Sequence, residues 1–193
     1  MFNRKSFIES SLKESSEIKL AVLNRCYDDI LKVANVFVLC IKNGGKLLFC
    51  GNGGSAADCQ HIATEFMIRL SHNVKRPAIG AIALTTDSSN LTAGGNDIGF
   101  ENIFARNVEG IGKEGDILIG ISTSGNSENI IRAFKKAKEK HIITVGFLGL
   151  TGGKLKKYSD YSICIPSENV QRIQESHITV GHILCEITER ELY

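Results

Sequence analysis

Ser122-Thr123-Ser124-Gly125-Asn126-Ser127 packs four hydroxyls into six residues, directly after the apolar run Ile117 to Ile121. A helical pattern follows at once, with Ile130, Ile131, Phe134 and Ala137 spaced three or four apart. Strand, hydroxyl-rich turn and helix start together make an anion site. The first N–H groups of a helix lack internal partners, and its dipole favours negative charge. Hydroxyls donate further hydrogen bonds to phosphate oxygens. No Lys follows the turn as it does in a P-loop, so the expected ligand is a phosphomonoester such as a sugar phosphate rather than a nucleoside triphosphate.

A second turn of this kind is Gly51-Asn52-Gly53-Gly54-Ser55, between the strand-like run Lys46 to Cys50 and a helical stretch over about 56–70. It lacks the spacing of the dinucleotide fingerprint. His61 and Glu65 lie four apart on that helix, hence on one face. Such a pair can bind zinc, serve as acid and base, or form a surface salt bridge. The loop expected at Gly94-Gly95-Asn96-Asp97 offers two polar side chains that can reach a polyol, although Asn and Asp in turns are commonly there for turn chemistry. The last helix, expected over 170–192, carries Gln174, His177 and His182 among apolar positions that nearly surround it, so these polar groups need partners.

The elements that must position these residues read as alternating strands and helices from residue 46 onward. The expected strands are 46–50, 78–84, about 117–121, 142–148 and 160–165, with a helix over about 101–111 and a short basic helix after Thr151. That alternation predicts an α/β fold, a doubly wound five-stranded parallel sheet flanked by helices. Ligands in such sheets sit beyond the carboxyl ends of the strands, where both special turns fall. Two amphipathic helices, 5–24 and 28–43, are expected ahead of the sheet, with more apolar surface than one small sheet needs. They are expected to pack at subunit interfaces, the alternative being cover for one sheet face. We read residues 1–193 as one domain, a helical pair over 1–44 and a sheet-containing core over 45–193.

Composition narrows the function classes. Of the 193 residues 42% are hydrophobic and 23% charged, and the net charge of +2 gives no field that would favour nucleic acid or a membrane surface. The six cysteines form no C-x-x-C pair, and several sit in apolar runs. They indicate a reducing compartment rather than a disulfide framework. The amino terminus has no continuous apolar segment like that of a secretory signal, and no apolar run approaches ~18 residues. A cytoplasmic protein is expected.

The turn Ser122 to Ser127 resembles the phosphosugar-binding signature of the SIS (sugar isomerase) domain. Cys50-Gly-Asn-Gly-Gly-Ser55-Ala-Ala, Gln60-His61, Gly95-Asn96-Asp97 and Arg172-Ile173-Gln174-Glu175 narrow the resemblance to the phosphoheptose isomerases, over essentially the whole chain. The resemblance implies an aldose–ketose isomerase that converts D-sedoheptulose 7-phosphate to D-glycero-D-manno-heptose 7-phosphate, first step toward activated heptose for lipopolysaccharide or other surface sugars. It implies a homotetramer with active sites between subunits and one zinc ion per site. Carried over by motif, substrate contacts fall on Asn52, Gly53, Gly54, Ser55, Glu65, Asn96, Asp97, Ser122, Thr123, Ser124, Ser127 and Gln174. The zinc ligands fall on His61, Glu65, Gln174 and His182, and Glu65 and His182 are the natural acid/base pair. Gln174 and His182 are eight apart on one helix, about 12 Å along its axis. They converge on one ion only if both reach inward, if the helix starts later, or if a neighbouring subunit supplies one of them. A related SIS protein that binds a replication initiator lacks the Glu and the last His; both are present here.

Overall fold

The computed structural model describes residues 2–193. Its centre is a five-stranded parallel sheet in the order β2-β1-β3-β4-β5. The strands are β1 (Leu47–Gly51), β2 (Ala81–Ala83), β3 (Ile117–Ser122), β4 (Ile143–Gly149) and β5 (Tyr161–Ile165). β1 and β3 are buried along their whole length, as parallel strands covered on both faces must be. This is the doubly wound sheet expected from the sequence.

Helices cover both faces. α1 (Arg4–Lys42), α2 (Gly54–Met67) and α6 (Val170–Leu192) enclose one core with Phe37, Phe49, Phe66 and Phe147. α4 (Ile103–Ile111) and α5 (Glu128–Glu139) enclose the other, around Leu118, Ile130 and Phe134. α3 (Ser88–Asp97) follows β2, and a short 3-10 turn, Phe100–Asn102, leads into α4. The basic segment after Thr151 forms only a 3-10 turn, Leu155–Tyr158.

The expected pair of leading helices is one helix of 39 residues. The proposed break, Arg25-Cys26-Tyr27, contains neither Pro nor Gly, so nothing stops helix propagation there. Cys26 is instead buried, its thiol directed at the carbonyl of Cys164 on β5 at 3.3 Å. α1 thus covers β5 and α6 with one face. Phe7, Ile8, Leu12, Leu20, Leu23, Tyr27 and Leu31 stay exposed along α1, and Leu23, Tyr27 and Leu31 line a groove beside α6.

The second correction concerns Gly94 to Asp97. This stretch is the last turn of α3 rather than a loop. Asp87 is the reason: its side chain accepts from Asn90 N–H at 2.9 Å and nucleates the helix as an N-cap. Among the described residues no helix is long and apolar enough to cross a membrane.

Candidate active site

The strand order reverses between β1 and β3, which pair in register from Leu47↔Ile117 to Gly51↔Ile121. Both special turns therefore leave the sheet side by side, at the crevice where doubly wound sheets bind ligands.

The hydroxyl turn is tightly built. Ser122 Oγ accepts from Gly125 N–H at 3.1 Å and lies 3.1 Å from Ser127 Oγ. Ser127 occupies the N-cap position of α5, yet its side chain makes no capping bond. Its hydroxyl and the helix start are left facing the turn, as an anion site requires. Ser124 is exposed and Thr123 half-buried, beside an open cleft of about 310 Å³ that also touches Ser167 and Glu168. Gly125 has φ +64°, a left-handed conformation that favours glycine. The Gly152–Gly153 loop buttresses the turn from behind: Leu155 N–H donates to Gly125 C=O at 2.8 Å and Lys154 N–H to Asn126 Oδ1 at 3.1 Å.

The glycine turn is tied to it by a residue the sequence reading did not single out. Asn129, 3% exposed in the first turn of α5, exchanges two amide hydrogen bonds with Asn52, at 3.0 and 2.8 Å. The available signal was a polar residue directly before the buried pair Ile130 and Ile131. Gly53, with φ +56°, starts α2, and Ser55 is buried just inside it. Gln174 lies against the same end of α2: a Cβ on Gly54 would stand 2.5 Å from its Nε2.

About two turns along the same helix pair, His61, Glu65 and His182 converge. His61 Nε2 lies 3.0 Å from His182 Nε2 and 3.1 Å from Glu65 Oε1. One ligand atom from each of the three lies within 4.8 Å of the others. Two imidazoles and a carboxylate so arranged are a zinc-type donor set. Gly181 lets the helices approach here, since a Cβ on it would stand 2.5 Å from Ile62 Cδ1. α2 and α6 run side by side in one direction, with Gln174 at Gly54 and His182 at His61. Gln174 is thus about two turns from the three-residue cluster within one chain.

His177, the third polar group singled out on the last helix, belongs to the core. It is fully buried, its Nε2 is 3.1 Å from Leu148 C=O, and burial pushes its pKa down to about 4. A histidine kept neutral when folded destabilises the fold once acid would protonate it. Its contribution is therefore intact above the unfolded value near 6.5 and is lost as pH falls from there toward 4. Between pH 7 and pH 5, urea unfolding of the wild type should lose ~2 kcal/mol more than that of His177→Gln. Equal losses would contradict this reading.

Asn96 and Asp97 sit exposed at the end of α3, where Asn96 Nδ2 donates to Asp97 Oδ1 at 2.7 Å. Among the described residues neither bonds to another member of the site.

Comparison with known proteins identifies the family. The chain matches the SIS domain family over residues 12–149. It is 52% identical over 191 residues to the phosphoheptose isomerase of Clostridium acetobutylicum, covering 98% of this chain and 96% of that one. It is 50% identical to that of Aquifex aeolicus, covering 94% of each. Among solved structures, a phosphoheptose isomerase from Francisella tularensis superposes with a TM-score of 0.93 at 36% identity, over 98% of this chain and all of that one. That from Neisseria gonorrhoeae gives 0.91 at 37%, over 97% of this chain and all of the other.

Proposed function

We infer, because this chain belongs to the phosphoheptose isomerase branch of the SIS-domain family, that it interconverts D-sedoheptulose 7-phosphate and D-glycero-D-manno-heptose 7-phosphate. This is the first step of activated heptose biosynthesis. What supports the reading is a hydroxyl turn shaped for a phosphomonoester together with, on the α2–α6 pair, a carboxylate and an imidazole that stand 3.1 and 3.0 Å from a second imidazole.

In this reading Ser122, Thr123, Ser124, Ser127 and the start of α5 hold the phosphate. Asn52, Gly53, Gly54, Ser55, Gln174, Asn96 and Asp97 contact the sugar chain. Anchoring the far end leaves C1 and C2 placed for proton transfer. Glu65 takes a proton from C1 of the ketose while His182 donates one to the C2 oxygen, which gives an enediol. Transfer of the proton on the C1 oxygen back to His182 and return of one from Glu65 to C2 completes the aldose and restores both side chains, with no net gain or loss of atoms. Glu65 Oε1 faces His61, and Oε2 makes no hydrogen bond among the described residues. One oxygen can therefore serve the histidine cluster while the other accepts the proton.

His61, Glu65 and His182 suit a zinc ion, which would polarise the carbonyl and stabilise negative charge on the enediolate oxygens; His182 would then ligate through one ring nitrogen and hold its proton on the other. Gln174, about two turns away along α6 in its own chain, would complete the set by reaching inward or from a neighbouring subunit. That separation, the exposed apolar row on α1 and an apolar groove of about 300 Å³ between α1 and α6 support a homotetramer with sites shared between subunits. The chain then acts as one domain, α1 included, and we place it in the cytoplasm on its cysteine pattern.

The test is isomerisation of sedoheptulose 7-phosphate by zinc-replete protein, before and after dialysis against a chelator. The expected result is aldose formation, a loss of at least about tenfold on chelation, and recovery with zinc. Absence of aldose with folded, zinc-replete protein would overturn the assignment.

A further inference from the structure

We propose that Arg76 and Glu189 form an internal strut that positions Glu65 and His182 for proton transfer, an inference that rests on the roles given to those two residues above. Arg76 lies in the segment between α2 and β2, and its side chain is 0% exposed; that of Glu189, on α6, is 1% exposed. Arg76 Nε stands 2.6 Å from Glu189 Oε1. The rest of the guanidinium is spent on backbone: Nη2 donates to Glu65 C=O at 2.7 Å, and Nη1 to Phe66 C=O at 2.8 Å and Pro77 C=O at 3.0 Å.

Glu65 and Phe66 lie in the last turn of α2, whose carbonyls have no partner further along the helix. A cation there is favoured by the helix dipole, and the forked geometry of Arg lets one side chain hold both carbonyls. Glu189 is seven residues after His182, two turns along and on the same face of α6. The pair therefore ties the residue that carries the carboxylate to the helix that carries the imidazole. It does so on the core side of the His61–Glu65–His182 cluster.

Stability does not account for the pair. A buried ion pair is often replaced by apolar residues at no cost, or with a gain. This one also leaves Glu189 Oε2 buried without a hydrogen-bond partner. An apolar pair would fill the same space, but it could not donate to the Glu65 and Phe66 carbonyls. Displacement by an ångström is enough to cost two orders of magnitude in rate at a site that depends on alignment. Arg76 and Glu189 are thus positioning residues, remote from the substrate.

Two variants separate positioning from packing. Arg76→Met/Glu189→Leu removes both charges together. Arg76→Lys keeps the charge opposite Glu189 but cannot reproduce the fork. Each is measured for melting temperature and for kcat and KM with sedoheptulose 7-phosphate, beside Glu65→Gln and His182→Ala. The expected result is a folded double variant and, in both variants, kcat lowered about 10- to 100-fold with KM within about threefold, because the phosphate turn is untouched. Wild-type kcat in a folded Arg76→Lys or double variant, with Glu65→Gln and His182→Ala inactive, would overturn the strut and leave the mechanism standing. Wild-type activity in Glu65→Gln and His182→Ala would instead overturn the roles on which the strut rests. Should the double variant fail to fold, Arg76→Lys decides on the same criterion.

Discussion

Glu65→Gln should lower kcat by about 10²- to 10⁴-fold, the range spanned by positioned general acids and bases, while KM stays within a few-fold. Gln has the shape of Glu, so the packing around this partly buried side chain is preserved. The backbone of residue 65 remains held by Arg76. What disappears is the basic oxygen and the negative charge beside His61, 3.1 Å away. A structural lesion would lower the melting temperature and raise KM; loss of the base lowers kcat alone. Because Glu65 and His182 share the His61 contact, the double variant Glu65→Gln/His182→Ala should lose much less than the product of the two single losses. Activity within threefold of wild type in Glu65→Gln would remove the carboxylate from the chemistry.

Gly125→Ala should raise KM about tenfold or more and destabilise the fold by roughly 2–5 kcal/mol, from left-handed strain plus overpacking. Its φ of +64° suits glycine, and a Cβ would stand 2.1 Å from Gly152 O and 2.5 Å from Gly152 C. Those are backbone atoms, so no rotamer change relieves the clash; the Gly152–Gly153 loop has to move as a unit. Gly153 in turn abuts Ser124 C=O, where its own Cβ would stand at 2.5 Å. Displacement of the loop therefore reaches the hydroxyl turn that holds the phosphate. Inhibition by inorganic phosphate should weaken in parallel with KM. Unchanged KM and unchanged phosphate inhibition would detach this turn from substrate binding.

The sheet and the crevice were readable from the sequence for a simple reason. Buried parallel strands are continuous apolar runs, and Ile117 to Ile121 is one; the turn after such a strand lies at its carboxyl end wherever the strand falls in the sheet. The last helix was readable because Ile173, Val180 and Leu184 keep helical spacing between Pro166 and the carboxyl terminus. The leading helix differs from the expected pair at Arg25-Cys26-Tyr27, where no helix breaker is present and the chain runs on as one helix. At Gly94-Gly95 the glycines outweighed the N-cap signal of Asp87, seven residues earlier.

Long-range pairing was not readable. Asn129 meets Asn52 from 77 positions away, and Arg76 meets Glu189 from 113. Nothing local marks Arg76 as buried; it stands beside Lys75 and Pro77 in what reads as a polar connection. His61 and Glu65 announce themselves by their spacing on α2. Their meeting with His182 depends on how α2 and α6 pack, which spacing within either helix does not determine.

The most direct test of proton transfer by Glu65 is wild-type turnover of sedoheptulose 7-phosphate in D2O, with the product read by NMR and Glu65→Gln run alongside. The enediol route predicts carbon-bound deuterium at C2 of the aldose from the wild type, and exchange that falls together with turnover in Glu65→Gln. Aldose formed at full rate by Glu65→Gln, or exchange that persists undiminished in that variant, would contradict it.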